Sequence, residues 1–197
     1  MQKPVYNLKR TVVLVGMMGA GKTSVGAGLA KELGVNFVDT DHEIERASNF
    51  SVPELFERFG EVYFREKESQ VLARLLREEP QVLSTGGGAF MNHTNRVEIS
   101  NHGVAVWMRV EVNLLWARVK LRSNRPLLQT DNPYQTLVEL YKARAPIYAK
   151  APIHVTAYSN YAVDDMVRSV IEHLAEHKDV LEISPYDGPE RRRRRRR

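Results

Sequence analysis

The stretch Gly16-Met17-Met18-Gly19-Ala20-Gly21-Lys22-Thr23 follows the apolar run Thr11-Val12-Val13-Leu14-Val15 and precedes a helical pattern over residues 22–33. It satisfies the spacing G-x-x-x-x-G-K-[ST] completely. An apolar run without polar alternation suits a strand buried on both faces of a parallel sheet. The glycines let backbone N–H groups close around phosphate oxygens where a Cβ would intrude. The helix N-terminus that follows adds a partial positive charge. Lys22 is expected to reach the β- and γ-phosphates, Thr23 to offer its hydroxyl to Mg²⁺, and Ser24 to lie near the α-phosphate. G-x-G-x-x-G is absent from this turn, which argues against a dinucleotide site.

Working outward, short apolar runs at residues 36–38, 81–84, 104–108 and 153–156 repeat the buried-strand pattern. Helical patterns separate them. The first ends at Gly34, a helix-stopping residue. Residues 52–58 carry Pro53 in a first turn and stop before Gly60. Residues 61–79 place Phe64, Val71, Leu72, Leu75 and Leu76 at helical spacing before Pro80. Residues 113–121, 134–145 and 162–177 complete the set. Strands alternating with helices predict an α/β fold with a doubly wound parallel sheet. Ligands in such folds sit at the carboxyl ends of the strands, where the motifs of this chain fall.

The chain of 197 residues is expected to form one domain over residues 1–183, with 184–197 as a disordered linker and tail. Hydrophobic residues make up 43% and charged ones 27%, as in ordinary globular domains. No run approaches a membrane span, and residues 1–10 do not read as a signal peptide. The absence of cysteine excludes disulfides, zinc thiolates and cysteine nucleophiles, and a cytoplasmic location is expected. The net charge of +5 comes from seven consecutive arginines at 191–197. Removing those seven from the 29 basic residues leaves 22 against 24 acidic ones, a net of −2 for the rest. No specific nucleic-acid partner is expected for that body.

The strand at 81–84 runs through Thr85 into Gly86 and offers no acid for a metal. Asp39 and Asp41, just past the run at 36–38, are the next candidates. Such a pair can serve a metal through water and a substrate hydroxyl; for Asp41 the competing role is to cap a helix beginning near His42. Arg65 and Arg144 lie in locally apolar surroundings. A guanidinium fork there matches a carboxylate, with an intramolecular ion pair or a solvated position as the alternative. Gly86-Gly87-Gly88 permits close approach of a ligand to bare backbone. Arg118, Lys120, Arg122 and Arg125 precede a turn-rich stretch. They suit a lid over about residues 118–133 that brings positive charge to the transferred phosphoryl group and excludes water, with a solvated basic loop as the alternative.

In this order the segments resemble shikimate kinases. The matching pieces are residues 16–23, Phe37-Val38-Asp39-Thr40-Asp41, Gly60-Glu61 with Phe64-Arg65, and Leu83 through Gly88. Arg125-Pro126-Leu127-Leu128 and Arg144-Ala145-Pro146-Ile147-Tyr148 complete the set, and the resemblance covers about residues 10–176. It implies a three-layer P-loop kinase fold: a five-stranded parallel sheet with helices on both faces, a mobile lid and a monomeric state. It implies transfer of the ATP γ-phosphoryl group to the 3-hydroxyl of shikimate. ATP would be held by Gly19, Ala20, Gly21, Lys22, Thr23 and Ser24, with Thr23 on Mg²⁺ and Asp39 reaching the metal through water. Asp41 would hold the shikimate hydroxyls, and its role as base or as orienting group stays open. Arg65 and Arg144 would grip the carboxylate, with Gly87 and Gly88 supplying backbone contacts. Arg125 would reach the phosphates from the lid, and Arg118 would lie against adenine. Lys22, Asp41 and Arg125 would be the catalytic set.

The family often carries a further basic residue touching adenine after the last strand. Here Thr156-Ala157-Tyr158-Ser159-Asn160-Tyr161 has no arginine, and no adenine residue is assigned there. The arginine tail also lies outside the family pattern. Gluconate kinase is the competing enzymatic reading, and a nucleotide- or nucleic-acid-binding module using the tail is the non-enzymatic one.

Overall fold

The computed structural model describes residues 4–120 and 126–185. In chain order these form β1 (Val5–Leu8), β2 (Thr11–Val15), α1 (Lys22–Leu33), β3 (Phe37–Asp39), α2 (Thr40–Ser48), α3 (Val52–Leu75) and β4 (Val82–Ser84). Then come α4 (His93–His102), β5 (Gly103–Val110), α5 (Val112–Val119), α6 (Pro133–Tyr148), β6 (Ile153–Ala157), α7 (Val163–Ala175) and β7 (Leu181–Ser184). Arg125 and the arginine tail fall outside the described residues, and so does part of the expected lid.

Five strands pair in the order β3-β4-β2-β5-β6, and every pairing is parallel. β2 sits at the centre and is buried along its whole length. That is the reason its sequence shows no polar alternation. Helices flank the sheet, with α1 packed on α7 and α3 on α4. The main core runs from β2 and β5 into α1 and α7. A satellite cluster of Ile44, Leu55 and Phe64 anchors α2 to α3. Because all five strands are parallel, their carboxyl ends open on one side, where β2 runs on into Gly16, β3 ends in Asp39 and β4 runs on into Thr85.

Several boundaries differ from the sequence expectation, each for a local reason. β3 includes Asp39, which pairs in register with Ser84, so the acid is held by the sheet and not by a loop. The expected helices at 52–58 and 61–79 join into α3, broken only in backbone angle at Gly60 (φ 80°, ψ 172°). Ser51 and Glu54 form a capping box at its start. α6 does not stop before Pro146 but runs through it to Tyr148. A proline removes one backbone donor, and the Ala149 N–H still reaches the Ala145 carbonyl at 2.9 Å. α2 begins at Thr40, and its cap is Asp39, whose carboxylate accepts from the Asp41 N–H. The capping role weighed for Asp41 therefore belongs to Asp39.

Three elements were not expected at all. α4 has a polar sequence with little helical periodicity, and β1 and β7 pair with each other antiparallel, apart from the main sheet. Ser184, placed in the linker by its composition, is the last residue of β7 and faces Val5. Among the described residues no helix is long and apolar enough to cross a membrane.

Candidate active site

The loop between β2 and α1 turns on three glycines with positive φ: Gly16 (140°), Gly19 (80°) and Gly21 (88°). Two of them also lack room for a side chain. A Cβ on Gly16 would stand 2.9 Å from the Met108 carbonyl oxygen, and one on Gly19 would stand 2.6 Å from Val119 Cγ1. Gly21 caps α1 without any side-chain hydrogen bond. The first N–H groups of that helix therefore face the cleft as an anion site. Lys22 is buried, and its ammonium donates to the carbonyls of Gly16 (2.9 Å) and Met17 (3.0 Å).

Thr23 and Asp39 are in contact. The Thr23 hydroxyl donates to Asp39 Oδ2 at 2.9 Å and lies 3.4 Å from the Ser84 hydroxyl. Asp39 Oδ1 accepts from the Asp41 N–H at 3.1 Å, so one carboxylate ties α1 to the start of α2. Asp41 is the second residue of that helix, and its Oδ1 is buried with no hydrogen-bond partner among the described residues. Burial, reinforced by the Asp39 charge, raises its pKa.

A second wall is assembled from α3, α6 and the glycine run after β4. Arg65 pairs with Glu68 at 2.8 Å and with Glu61 at 3.2 Å. Its guanidinium also lies over the Phe64 ring, 5.2 Å from the centroid. Burial opposes its charge, but the two carboxylates together hold its pKa above the usual arginine value. The ion-pair alternative for Arg65 is thus realised, through partners on its own helix. A Cβ on Gly88 would fall 2.6 Å from Arg65 Cζ, and one on Gly87 would fall 3.3 Å from Arg144 Nη1. A Cβ on Gly86 would meet both Asp41 Oδ1 and Glu68 Oε1 at 3.0 Å. The glycine run is therefore a wall against which two arginines and two carboxyl groups close.

Glu68 and Tyr148 belong to this site and were not singled out in the sequence. Glu68 is 1% exposed, and among the described residues its Oε1 has no hydrogen-bond partner. Burial pushes its pKa up to about 7 and the Asp41 charge adds to the rise, against the pull of Arg65 and Arg144. The Tyr148 hydroxyl donates to the Gly87 carbonyl at 2.5 Å. Burial raises its pKa to about 12, so it remains a donor. The missed signal was helical spacing: Glu68 lies three residues after Arg65, and Tyr148 four after Arg144.

Between these walls lies a cleft of about 420 Å³. One end is the glycine loop, Asp39 and Asp41; the other reaches Arg118, Tyr161, Val163 and Met166. Arg118 donates to the Gly19 carbonyl at 3.3 Å. The structure thus brings together Gly19, Ala20, Gly21, Lys22, Thr23, Ser24, Asp39, Asp41, Gly87 and Arg118 as cleft lining. Gly88, Arg65 and Arg144 stand on the wall beside it. Arg125 lies outside the described residues.

Known proteins resemble this chain over most of its length. A family model described as shikimate kinase matches residues 18–175. Shikimate kinase of Ruegeria pomeroyi is 54% identical over 177 residues, covering 90% of this chain and 91% of that protein. Shikimate kinase of Cereibacter sphaeroides is 55% identical over 175 residues, covering 89% of this chain and 87% of that protein. Among solved structures, shikimate kinase from Acinetobacter baumannii in complex with shikimate is 40% identical with a TM-score of 0.81. The match covers 86% of this chain and 94% of that one. A gluconokinase from Sinorhizobium meliloti, covering 86% of this chain and 94% of its own, matches at 16% identity and a TM-score of 0.53, a likeness of fold alone. With most of its length aligned to relatives of one description, the chain belongs to the shikimate kinase family.

Proposed function

We propose that the protein transfers the γ-phosphoryl group of ATP to the 3-hydroxyl of shikimate, giving shikimate 3-phosphate and ADP. The observation that carries this reading is the meeting, across one glycine run, of a phosphate loop with a pocket of two arginines and an aspartate whose Oδ1 is buried. The bond from the acceptor oxygen to the γ-phosphorus forms as the bond from that phosphorus to the β-γ bridging oxygen breaks. There is little covalent chemistry for the protein to perform, so its work is positioning and charge stabilisation.

The Gly19–Ser24 backbone cradles the phosphates, and Lys22 leaves its two carbonyl partners to meet the β- and γ-oxygens. Arg65 and Arg144 take the shikimate carboxylate, and Gly87 and Gly88 let the ring lie against bare backbone. Asp41 holds the acceptor hydroxyl in line. Arg118, and Arg125 from the lid over about residues 118–133, enclose the nucleotide.

The Thr23, Asp39 and Ser84 oxygens are a hard donor set that fits Mg²⁺. Among the described residues no group of three or more His, Cys, Asp or Glu side chains forms a cage for a metal. That agrees with a cation that arrives with the nucleotide and keeps several waters. Thr23 would ligate it directly and Asp39 through water, and the ion would neutralise charge on the phosphates. The expected working unit is a monomer in the cytoplasm.

A coupled ADP-release assay with shikimate and gluconate side by side tests the acceptor. Turnover with shikimate and only background with gluconate is the expected result. The opposite preference would replace this reading with that of a sugar-acid kinase.

A further inference from the structure

A second cavity, of about 350 Å³, lies at the amino ends of β2, β5 and β6, on the side of the sheet opposite the phosphate loop. Its floor is apolar, made by Phe90, Ile99, Val104 and Ala105. Its rim carries Arg10, Arg96, Lys150 and His177, with Asp179 as its one acid among the described residues. Asp179 is already engaged by Arg10 at 3.6 Å, and Arg10 also donates to the Ser100 carbonyl at 2.6 Å. Arg96 spends only Nη1 on protein, donating to the carbonyls of Phe90 (2.9 Å) and Met91 (2.7 Å). Among the described residues its other nitrogens and the Lys150 ammonium have no partner. Two cations thus stand over an apolar floor without a counter-charge.

The cavity also touches the acceptor wall from behind. Arg96 fastens the 3-10 turn Ala89–Met91, which follows Gly88 directly. Within that turn, Phe90 stacks on Tyr148 with ring centroids 6.5 Å apart. Tyr148 in turn donates to the Gly87 carbonyl. A group that drew the Arg96 guanidinium away from its two carbonyls would loosen the turn carrying Gly87 and Gly88.

We propose that this cavity binds a small organic monoanion, a carboxylate on a compact apolar body, and that binding there weakens binding of shikimate at the acceptor wall. The carboxylate meets Arg96 and Lys150, and the body covers Phe90 and Ile99. A pocket of this size with few convergent polar groups suits such a ligand. The antagonism is reciprocal, because it is a free energy shared by two sites.

The test uses the full chain and benzoate as probe. NMR titration is run with ADP and without shikimate, and is read at Ala105 and Val180, which line this cavity and not the cleft. Benzoate is expected to shift the amide resonances of Ala105 and Val180 saturably. Inorganic phosphate, a charge without a body, and benzyl alcohol, a body without a charge, should each bind about tenfold more weakly or worse. Lys150→Glu, an exposed substitution remote from the cleft, should weaken benzoate binding about tenfold with kcat unchanged. No saturable shift at Ala105 and Val180, or equal binding by Lys150→Glu, overturns the site. In steady-state assays benzoate should raise KM for shikimate more in the unsubstituted protein than in Lys150→Glu. An equal rise in both assigns the effect to direct competition and overturns the antagonism.

Discussion

The phosphate loop and the acceptor wall meet at Gly87, yet one is made of backbone and the other of charged side chains. In the loop, positive-φ glycines and the open end of α1 supply the binding groups. Apart from Lys22 and Thr23, no side chain has to be placed. In the acceptor wall, Asp41, Arg65, Glu68 and Arg144 come from three helices and must be held against one another. A backbone site tolerates no added atom, whereas a side-chain site tolerates no missing partner. Substitutions should therefore fail differently on the two sides.

The largest effect is expected at Asp41. Its buried Oδ1 has no hydrogen-bond partner among the described residues. Asp41→Asn keeps the shape and removes the charge. kcat should fall by about 10²- to 10⁴-fold, the range for a positioned acid or base. Nucleotide affinity, measured calorimetrically, should hold. An unchanged kcat would remove Asp41 from the acceptor site.

Arg65→Ala comes next and separates binding from stability. KM for shikimate should rise by about 10²-fold, as when one partner of a buried charge pair is truncated. The loss also strands Glu68, which is 1% exposed, and should cost about 3 kcal/mol in chemical denaturation. The double variant Arg65→Ala/Glu68→Gln should recover much of that stability and none of the affinity. Recovery of both would make Arg65 structural only.

Glu68 alone gives a pH test. Its pKa rises from 4.5 to about 7 on folding, so the folded state binds more protons than the unfolded one between those values. The stability it contributes is therefore complete at low pH and lost as pH climbs to about 7. The shift corresponds to ~3 kcal/mol at most. Glu68→Gln should flatten the fall in unfolding free energy over that window. Parallel pH profiles for the two proteins would show that Glu68 does not titrate there.

On the backbone side, Gly19→Ala forces a side chain to φ 80° and within 2.6 Å of Val119. A left-handed alanine costs about 1–2 kcal/mol before any clash is counted. KM for ATP should rise by about tenfold or more while KM for shikimate stays put. If both constants moved together, the two halves would be one unit.

The same contrast governs what could be read before folding. The loop was legible because its chemistry is local: strand, turn and helix lie within residues 11–33. Parallel order followed from buried strands separated by helices. Asp39, Asp41, Arg65 and Arg144 could be named, but not shown to converge, since only the sheet register and the α3 and α6 directions bring them to one wall. Glu68 escaped because a glutamate on a charged helix looks solvated until its neighbours bury it. α4 escaped because its core-facing side is little more than Asn95 and Ile99. β1 and β7 pair across nearly the whole chain, a contact that no local pattern encodes.

The smallest effect is expected at the far end of the nucleotide half, where the chain lacks the basic residue that the family resemblance would supply. Tyr161, Val163 and Met166 line the cleft there, beyond Arg118. Tyr161 is propped by Tyr158, their rings edge to face at 5.1 Å. An aromatic ring can hold a purine by stacking, without a hydrogen bond that reads its edge. Stacking of this kind contributes about 0.5–1.5 kcal/mol beyond the area it buries. Tyr161→Ala should therefore raise KM for ATP by about two- to tenfold and leave kcat and KM for shikimate unchanged. Because the ring reads no base edge, KM for GTP should rise by a similar factor. A loss confined to ATP would mean that the tyrosine hydroxyl reads the adenine edge, and this end of the cleft would then select its base by side chain after all.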